Sequence, residues 1–267
     1  MKTYLPVLSA SINRKGVLDI DTVKGCFYGM KKYPNGGCYG LCYAAKVSKF
    51  YGYDFTQNVS RLILKGKETQ RQSLFGGVLV DGWGSVESMV KNHHLKWFRI
   101  GTMGDPCHDW GLTVLVCGLL YHYKIPVIIT KHWVKIPAEV LEEFLRFRVV
   151  VNTSVSALDS ESEIIHRVAQ FERIKRAGVR SVLRIVSCKF GDTENGNRLA
   201  LIQEKLFKMN PVVDNPLRVN PTNNRVTSGD IVVEKIMDLN KENYISRLNK
   251  DTFIGKCTEC PDQCGVL

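Results

Sequence analysis

Six of the nine cysteines in this 267-residue chain fall into two triplets, Cys26/Cys38/Cys42 and Cys257/Cys260/Cys264, while Cys107, Cys117 and Cys188 stand alone. Clustered thiols point to metal or redox chemistry wherever thiols are kept reduced. The first triplet is spaced C-x11-C-x3-C within KGCFYGMKKYPNGGCYGLCYAAKVSKFYG. Three thiolates can hold three irons of a 4Fe-4S cubane and leave the fourth iron open to a small molecule with an amine and a carboxylate. Glycines at positions 25, 29, 36, 37 and 40 let such a loop turn tightly. The run YAAKVSKF after Cys42 is helix-compatible, which sets the third sulfur at a helix start, where the dipole favours thiolate. Spacing alone leaves a zinc site open as the alternative.

The tail, GKCTECPDQCGVL, compresses C-x2-C-x3-C into eight residues, with Pro261 and Gly265 to bend the backbone. Zinc there would need a fourth protein ligand, recruited from Cys107, Cys188, His108 or another histidine. An auxiliary iron-sulfur cluster would not, if substrate filled the last position. Cys107 lies in GDPCHDWG and is the candidate catalytic thiol, a hydrogen-atom donor or the missing tail ligand. Cys117 reads as a small buried hydrophobe and His93-His94 as surface. Arg184 and Lys189 read as anchors for a carboxylate or phosphate, or as structural ion pairs.

These residues need a frame, and hydrophobic periodicity supplies one. Apolar strand patterns at Val17 to Val23, Trp97 to Gly101, Pro126 to Thr130, Arg148 to Val155, Ser181 to Ser187 and Pro216 to Asn220 alternate with helical patterns. Leu112 to Tyr121 reads as a buried helix, too short to span a membrane. Pro137 suits the first turn of the next helix, Asp159 or Ser160 caps the following one, and Gly178 ends it. Six βα units predict an α/β fold, a partial (β/α)6 barrel over residues 1–220, with ligands at the C-terminal ends of its strands and a cysteine-rich extension over 221–267.

The order of motifs resembles the radical S-adenosylmethionine superfamily, and most closely a phage- and plasmid-type branch related to spore photoproduct lyase. The resemblance rests on Gly25-Cys26, a loop, then Gly37-Cys38-Tyr39-Gly40-Leu41-Cys42-Tyr43-Ala44, although the usual C-x3-C-x2-C has become C-x11-C-x3-C. It implies a 4Fe-4S cluster on Cys26, Cys38 and Cys42 that reductively cleaves S-adenosylmethionine. The resulting 5′-deoxyadenosyl radical would abstract hydrogen from a substrate. Cofactor contacts are implied for Gly101, Thr102, Met103, Gly104 and Asp105 after the second strand, for Thr130 and Lys131 after the third, and for Asn152, Ser154 and Ser156 on the fourth. By analogy the tail triplet carries an auxiliary cluster. The implied partners are a reductant such as flavodoxin or ferredoxin and a nucleotide or nucleic-acid substrate, as in phage-type base modification.

Composition is compatible with this reading. With 44% apolar and 24% charged residues the chain has the make-up of a globular protein. MKTYLPVLSA lacks a signal-peptide core, so a cytoplasmic protein without membrane contact is expected. Residues 1–71 hold twelve Lys/Arg against four Asp/Glu, a large part of the net charge of +11, and could face an anion. A zinc-stabilised nucleic-acid-binding protein without catalysis is the competing expectation.

Overall fold

The computed structural model describes residues 7–32, 38–40, 42–63, 69–72 and 78–266. Gly36 and Gly37 of the first cysteine loop lie outside the described residues. Six strands, β1 (Leu18–Ile20), β2 (Trp97–Ile100), β3 (Ile125–Thr130), β4 (Val150–Val155), β5 (Arg180–Ser187) and β6 (Val212–Arg218), lie side by side in chain order. Every neighbouring pair among them is parallel. The helices are α1 (Phe27–Lys32), α2 (Tyr43–Tyr51) and α3 (Trp83–Asn92) between β1 and β2, then α4 (Trp110–Leu120), α5 (Ala138–Arg146), α6 (Glu161–Arg176) and α7 (Glu194–Phe207), one after each of β2 to β5. The molecule is thus an α/β protein built on a large, mostly parallel sheet.

Alternation along the strands divides two cores. Leu18, Ile20, Phe98, Ile100, Ile128 and Val151 pack with Val86, Val90, Val116, Leu120, Phe144 and Ile174 from the helices. On the opposite face Val17, Trp97, Val127, Val150, Val182 and Val213 form a second cluster, completed by Cys257, Cys264 and Val266 of the tail. Each fully buried large apolar side chain contributes roughly 1.5 to 3 kcal/mol, so both faces are strongly held. The tail is therefore integral to the inner face of the sheet. Residues of the 221–267 segment also extend the sheet, since Lys241–Ser246 pairs antiparallel with β6 and Glu234–Asp238 pairs with it in turn.

Several expectations need correction. Antiparallel strands Ser9–Ile12, Val78–Asp81 and Thr69–Gln72 extend the other edge and carry no clear period in the sequence. The last parallel strand starts at Val212, four residues before Pro216, because Asp214 and Asn215 line a cavity and so disguise the strand as a polar loop. Pro137 is the N-cap of α5 and precedes its first turn. The apolar helix α4 is only half-buried, with Leu115 50% exposed. His93 is buried at the C-cap of α3, where its Nδ1 accepts the Leu95 N–H at 3.3 Å, whereas His94 is exposed. At α6, Ser160 is the N-cap and forms a capping box with Glu163, and Gly178 follows the helix at φ 80°.

Candidate active site

Cys26 lies just beyond β1, where its loop is stitched to the segment after β2. The Gly25 N–H donates to the Met103 carbonyl at 3.0 Å, and the Cys26 N–H donates to the Phe55 carbonyl at 3.0 Å. This approach needs glycine on both sides. Gly25 has φ +94°, and a Cβ on it would collide with the Gln57 carbonyl, while one on Gly104 would meet the carbonyls of Val23 and Gly25. Cys38 opens a 3-10 turn, Cys38–Gly40, and Cys42 is the N-cap of α2.

Gly29 marks the space between the first two sulfurs. A Cβ there would stand 2.9 Å from Cys26 Sγ and 3.5 Å from Cys38 Sγ. Any side chain at 29 would fill the space that a shared inorganic centre would need, so the residues present fit such a group. Burial raises all three thiols above their usual range. For Cys26, Asp105 and Cys38 add to this and the Gly29 N–H opposes it; for Cys38, Lys131 opposes it; for Cys42, the N–H groups of Ala45 and Ala44 oppose it. Buried thiols with N–H donors aimed at sulfur stay protonated alone and become ligands when a metal cation replaces the proton. Among the described residues no three His, Cys, Asp or Glu side chains are already closed to single-ion distances.

A buried charge network clamps this loop to β3 and α6. Lys131 Nζ donates to Tyr39 Oη at 2.6 Å, and Tyr39 O–H donates to Asp159 Oδ1 at 2.8 Å. Asp159 also pairs with Lys131 at 3.6 Å and with Arg167. Burial opposes its ionisation, but Lys131 and Arg167 outweigh that and hold its carboxyl below the usual range. Tyr39 carries no sequence signal for this role, because its contacts to Lys131 and Asp159 join residues 92 and 120 positions apart.

The implied cofactor residues divide into groups. Asp105 is buried and already engaged: Oδ1 accepts from Thr130 Oγ1 at 2.6 Å and from Cys107 N at 3.1 Å, and Oδ2 accepts from Lys131 N at 2.8 Å. It is a pin between the ends of β2 and β3. Thr102 and Met103 receive their support from Asp21, whose Oδ1 accepts their N–H groups at 2.7 and 2.8 Å. Asn152 Nδ2 donates to the Cys264 carbonyl at 2.9 Å, and Ser156 Oγ donates to the Val186 carbonyl at 2.8 Å. These bonds engage Asn152 Nδ2 and the Ser156 hydroxyl, and leave Asn152 Oδ1 buried with no hydrogen-bond partner among the described residues. Ser154 is buried, two residues from Asn152 on the same face of β4. Cys107 is 1% exposed in the helix-facing core and does not line the cavity.

A cavity of about 630 Å3 opens on the inner face of the sheet. Asp21, Tyr43, Thr102 and Met103, beside the first cysteine loop, line one part of it; Cys257, Cys260 and Cys264 line another. In the tail, Gln263, Cys264 and Gly265 all have positive φ, and a Cβ on Gly265 would run into Val182. This tight turn carries Cys264 into the apolar cluster. Burial raises the Cys257 thiol against the nearby Arg99, and raises the Cys260 thiol against the N–H groups of Asp262 and Gln263.

No known protein family, curated protein or solved structure matches this chain. The site is therefore read from its own chemistry. Sequence reasoning missed Asp21, Asp19 and Arg99, which line the cavity. Their only signal was charge at alternate positions inside otherwise apolar strands. Among the described residues no helix is long and apolar enough to cross a membrane.

Proposed function

We propose that this chain is a radical S-adenosylmethionine enzyme acting on a nucleotide, free or within nucleic acid. The observation that carries the reading is the pair of sulfurs flanking Gly29, with Cys42 at the adjoining helix start, set at the C-terminal end of the first of six parallel strands in sequential order. That strand order, with helices on one face, supports a partial (β/α)6 barrel, and ligand chemistry belongs at that end of its strands. Cys26, Cys38 and Cys42 would hold a 4Fe-4S cluster, which when bound supplies one electron to the cofactor's sulfonium.

The chain's own residues supply the rest. Lys131 sets a positive charge near Cys38 and Cys42, which favours an anionic centre. Asp21 holds the Thr102–Met103 backbone, whose carbonyls, apart from the Met103 oxygen that accepts the Gly25 N–H, would orient an ammonium group. Gly25 and Gly104 close the two loops on each other beside Cys26. The tail thiols, with N–H groups directed at Cys260, are suited to a second metal centre at the far part of the cavity.

One observation favours the competing reading of a zinc-stabilised nucleic-acid-binding protein. From Thr22 to Tyr53 there are five lysines and no acidic residue, and Phe27, Tyr28, Phe50 and Tyr51 are exposed there. Anaerobic reconstitution with iron and sulfide separates the two. The enzyme is expected to be brown and to release 5′-deoxyadenosine from S-adenosylmethionine on reduction, with Cys26→Ala, Cys38→Ala and Cys42→Ala each inactive. A colourless, zinc-loaded protein, or full turnover in any of those variants, removes the reading.

A further inference from the structure

Four arginines line the cavity, and three of them, Arg99, Arg218 and Arg184, differ in what neutralises them. Arg99 reaches both oxygens of Asp19, at 2.7 and 3.0 Å. Arg218 reaches Asp238 at 2.7 Å. Arg184 instead donates from Nη2 to the neutral amide oxygen of Asn215 at 2.6 Å, and its Nη1 stands 3.9 Å from Cys264 Sγ. Among the described residues no carboxylate stands within ion-pair distance of it. An amide acceptor fixes the plane of a guanidinium without cancelling its charge.

The alternation of β5 explains how the charge gets there. Val182 belongs to the inner apolar cluster, and Arg184, two residues on, lines the cavity. Lys15 adds to the same excess. Its acidic neighbour Asp238, 3.9 Å away, is already engaged by Arg218. Two other acids line this part of the cavity. Asp214 accepts the Thr252 hydroxyl at 2.9 Å, and Asp262 lies in the tail turn between Cys260 and Cys264.

We propose that the cavity holds its substrate by a terminal anionic group, phosphate or carboxylate, bound between Arg184 and Lys15 beside the tail thiols. A volume of about 630 Å3 suits a molecule of mononucleotide size or smaller. The inference rests on the enzyme reading only in calling this ligand a substrate.

Calorimetric titration of the anaerobically purified full chain tests it without any turnover. The probes are pyrophosphate, adenosine 5′-monophosphate, adenosine and glutarate. At least one anion binds and adenosine does not; tighter binding of the two phosphates assigns a phosphate site, and tighter binding of glutarate a carboxylate site. Arg184→Gln weakens that binding roughly ten- to hundredfold, Arg184→Lys weakens it less, and Lys15→Gln gives an intermediate loss in a variant that leaves the β5 strand intact. Absence of anion binding in the wild type, or equal affinity in Arg184→Gln, overturns the proposal. So does an Arg184→Gln variant that loses tail-bound metal but keeps the anion, because Arg184 would then serve the sulfurs alone. If cofactor cleavage fails while the titration succeeds, the anion site stands and the radical reading falls.

Discussion

The two cysteine triplets use the same ligand chemistry in opposite structural settings. Cys26, Cys38 and Cys42 sit on a loop and a helix start, outside the two main cores, and are held in place by glycine contacts and by the Lys131–Tyr39–Asp159–Arg167 network. Cys264 is part of a core, packed with Val150, Val182 and Val213, and its carbonyl is bound by Asn152. The first arrangement can change its sulfur chemistry while the main sheet stays folded. The second couples its sulfurs to the stability of the inner face. Function and stability are therefore expected to separate at the first site and to move together at the second.

The largest effect should come from Gly29→Ala. Its methyl group would stand 2.9 Å from Cys26 Sγ, within the space assigned to the shared centre. Cofactor cleavage should fall at least about a hundredfold, while the thermal midpoint measured by circular dichroism stays near wild type. Normal iron loading in this variant would sink the assignment of that space.

Gly265→Ala probes the other region. It places a Cβ on a residue with φ +81° and against Val182, and the strain plus overpacking should cost about 2 to 4 kcal/mol. Urea unfolding should report the loss, and the tail cysteines should become faster to alkylate. An unchanged midpoint would mean that the tail is not held as the inner core implies, and the contrast between the triplets would collapse.

The smallest effect concerns Asp21, which lies between the first cysteine loop and the cavity. Burial raises its pKa from 3.8 to about 6, against the N–H bonds from Met103 and Thr102. The folded state thus binds this proton more tightly than the unfolded chain. Its stabilising contribution is fully present below pH 3.8 and is lost as pH rises through about 6. Asp21→Asn should flatten the stability profile over that window by at most roughly 3 kcal/mol. Denaturant midpoints that keep their wild-type slope between pH 4 and 6 would assign the titration to another group.

Much of the frame is legible in the sequence, because strand alternation, the Ser160–Glu163 capping box and the glycine after α6 are local rules written within a few residues of one another. The α/β class, the six parallel strands and the clustering of cysteines into two triplets follow from those local patterns. The start of β6 at Val212 escaped them, because a strand facing a polar cavity mimics a loop. The structure alone decided that the tail returns across the inner face, where Cys264 meets residues more than a hundred positions away. It also decided that Asp105 is spent on Thr130 and Lys131, and that Arg99 is paired with a carboxylate while Arg184 meets only a neutral amide and a thiol. Those outcomes depend on which side chains arrive together after folding. Spacing along a chain records the types of groups available, and only packing determines which charges are neutralised and which remain for a ligand.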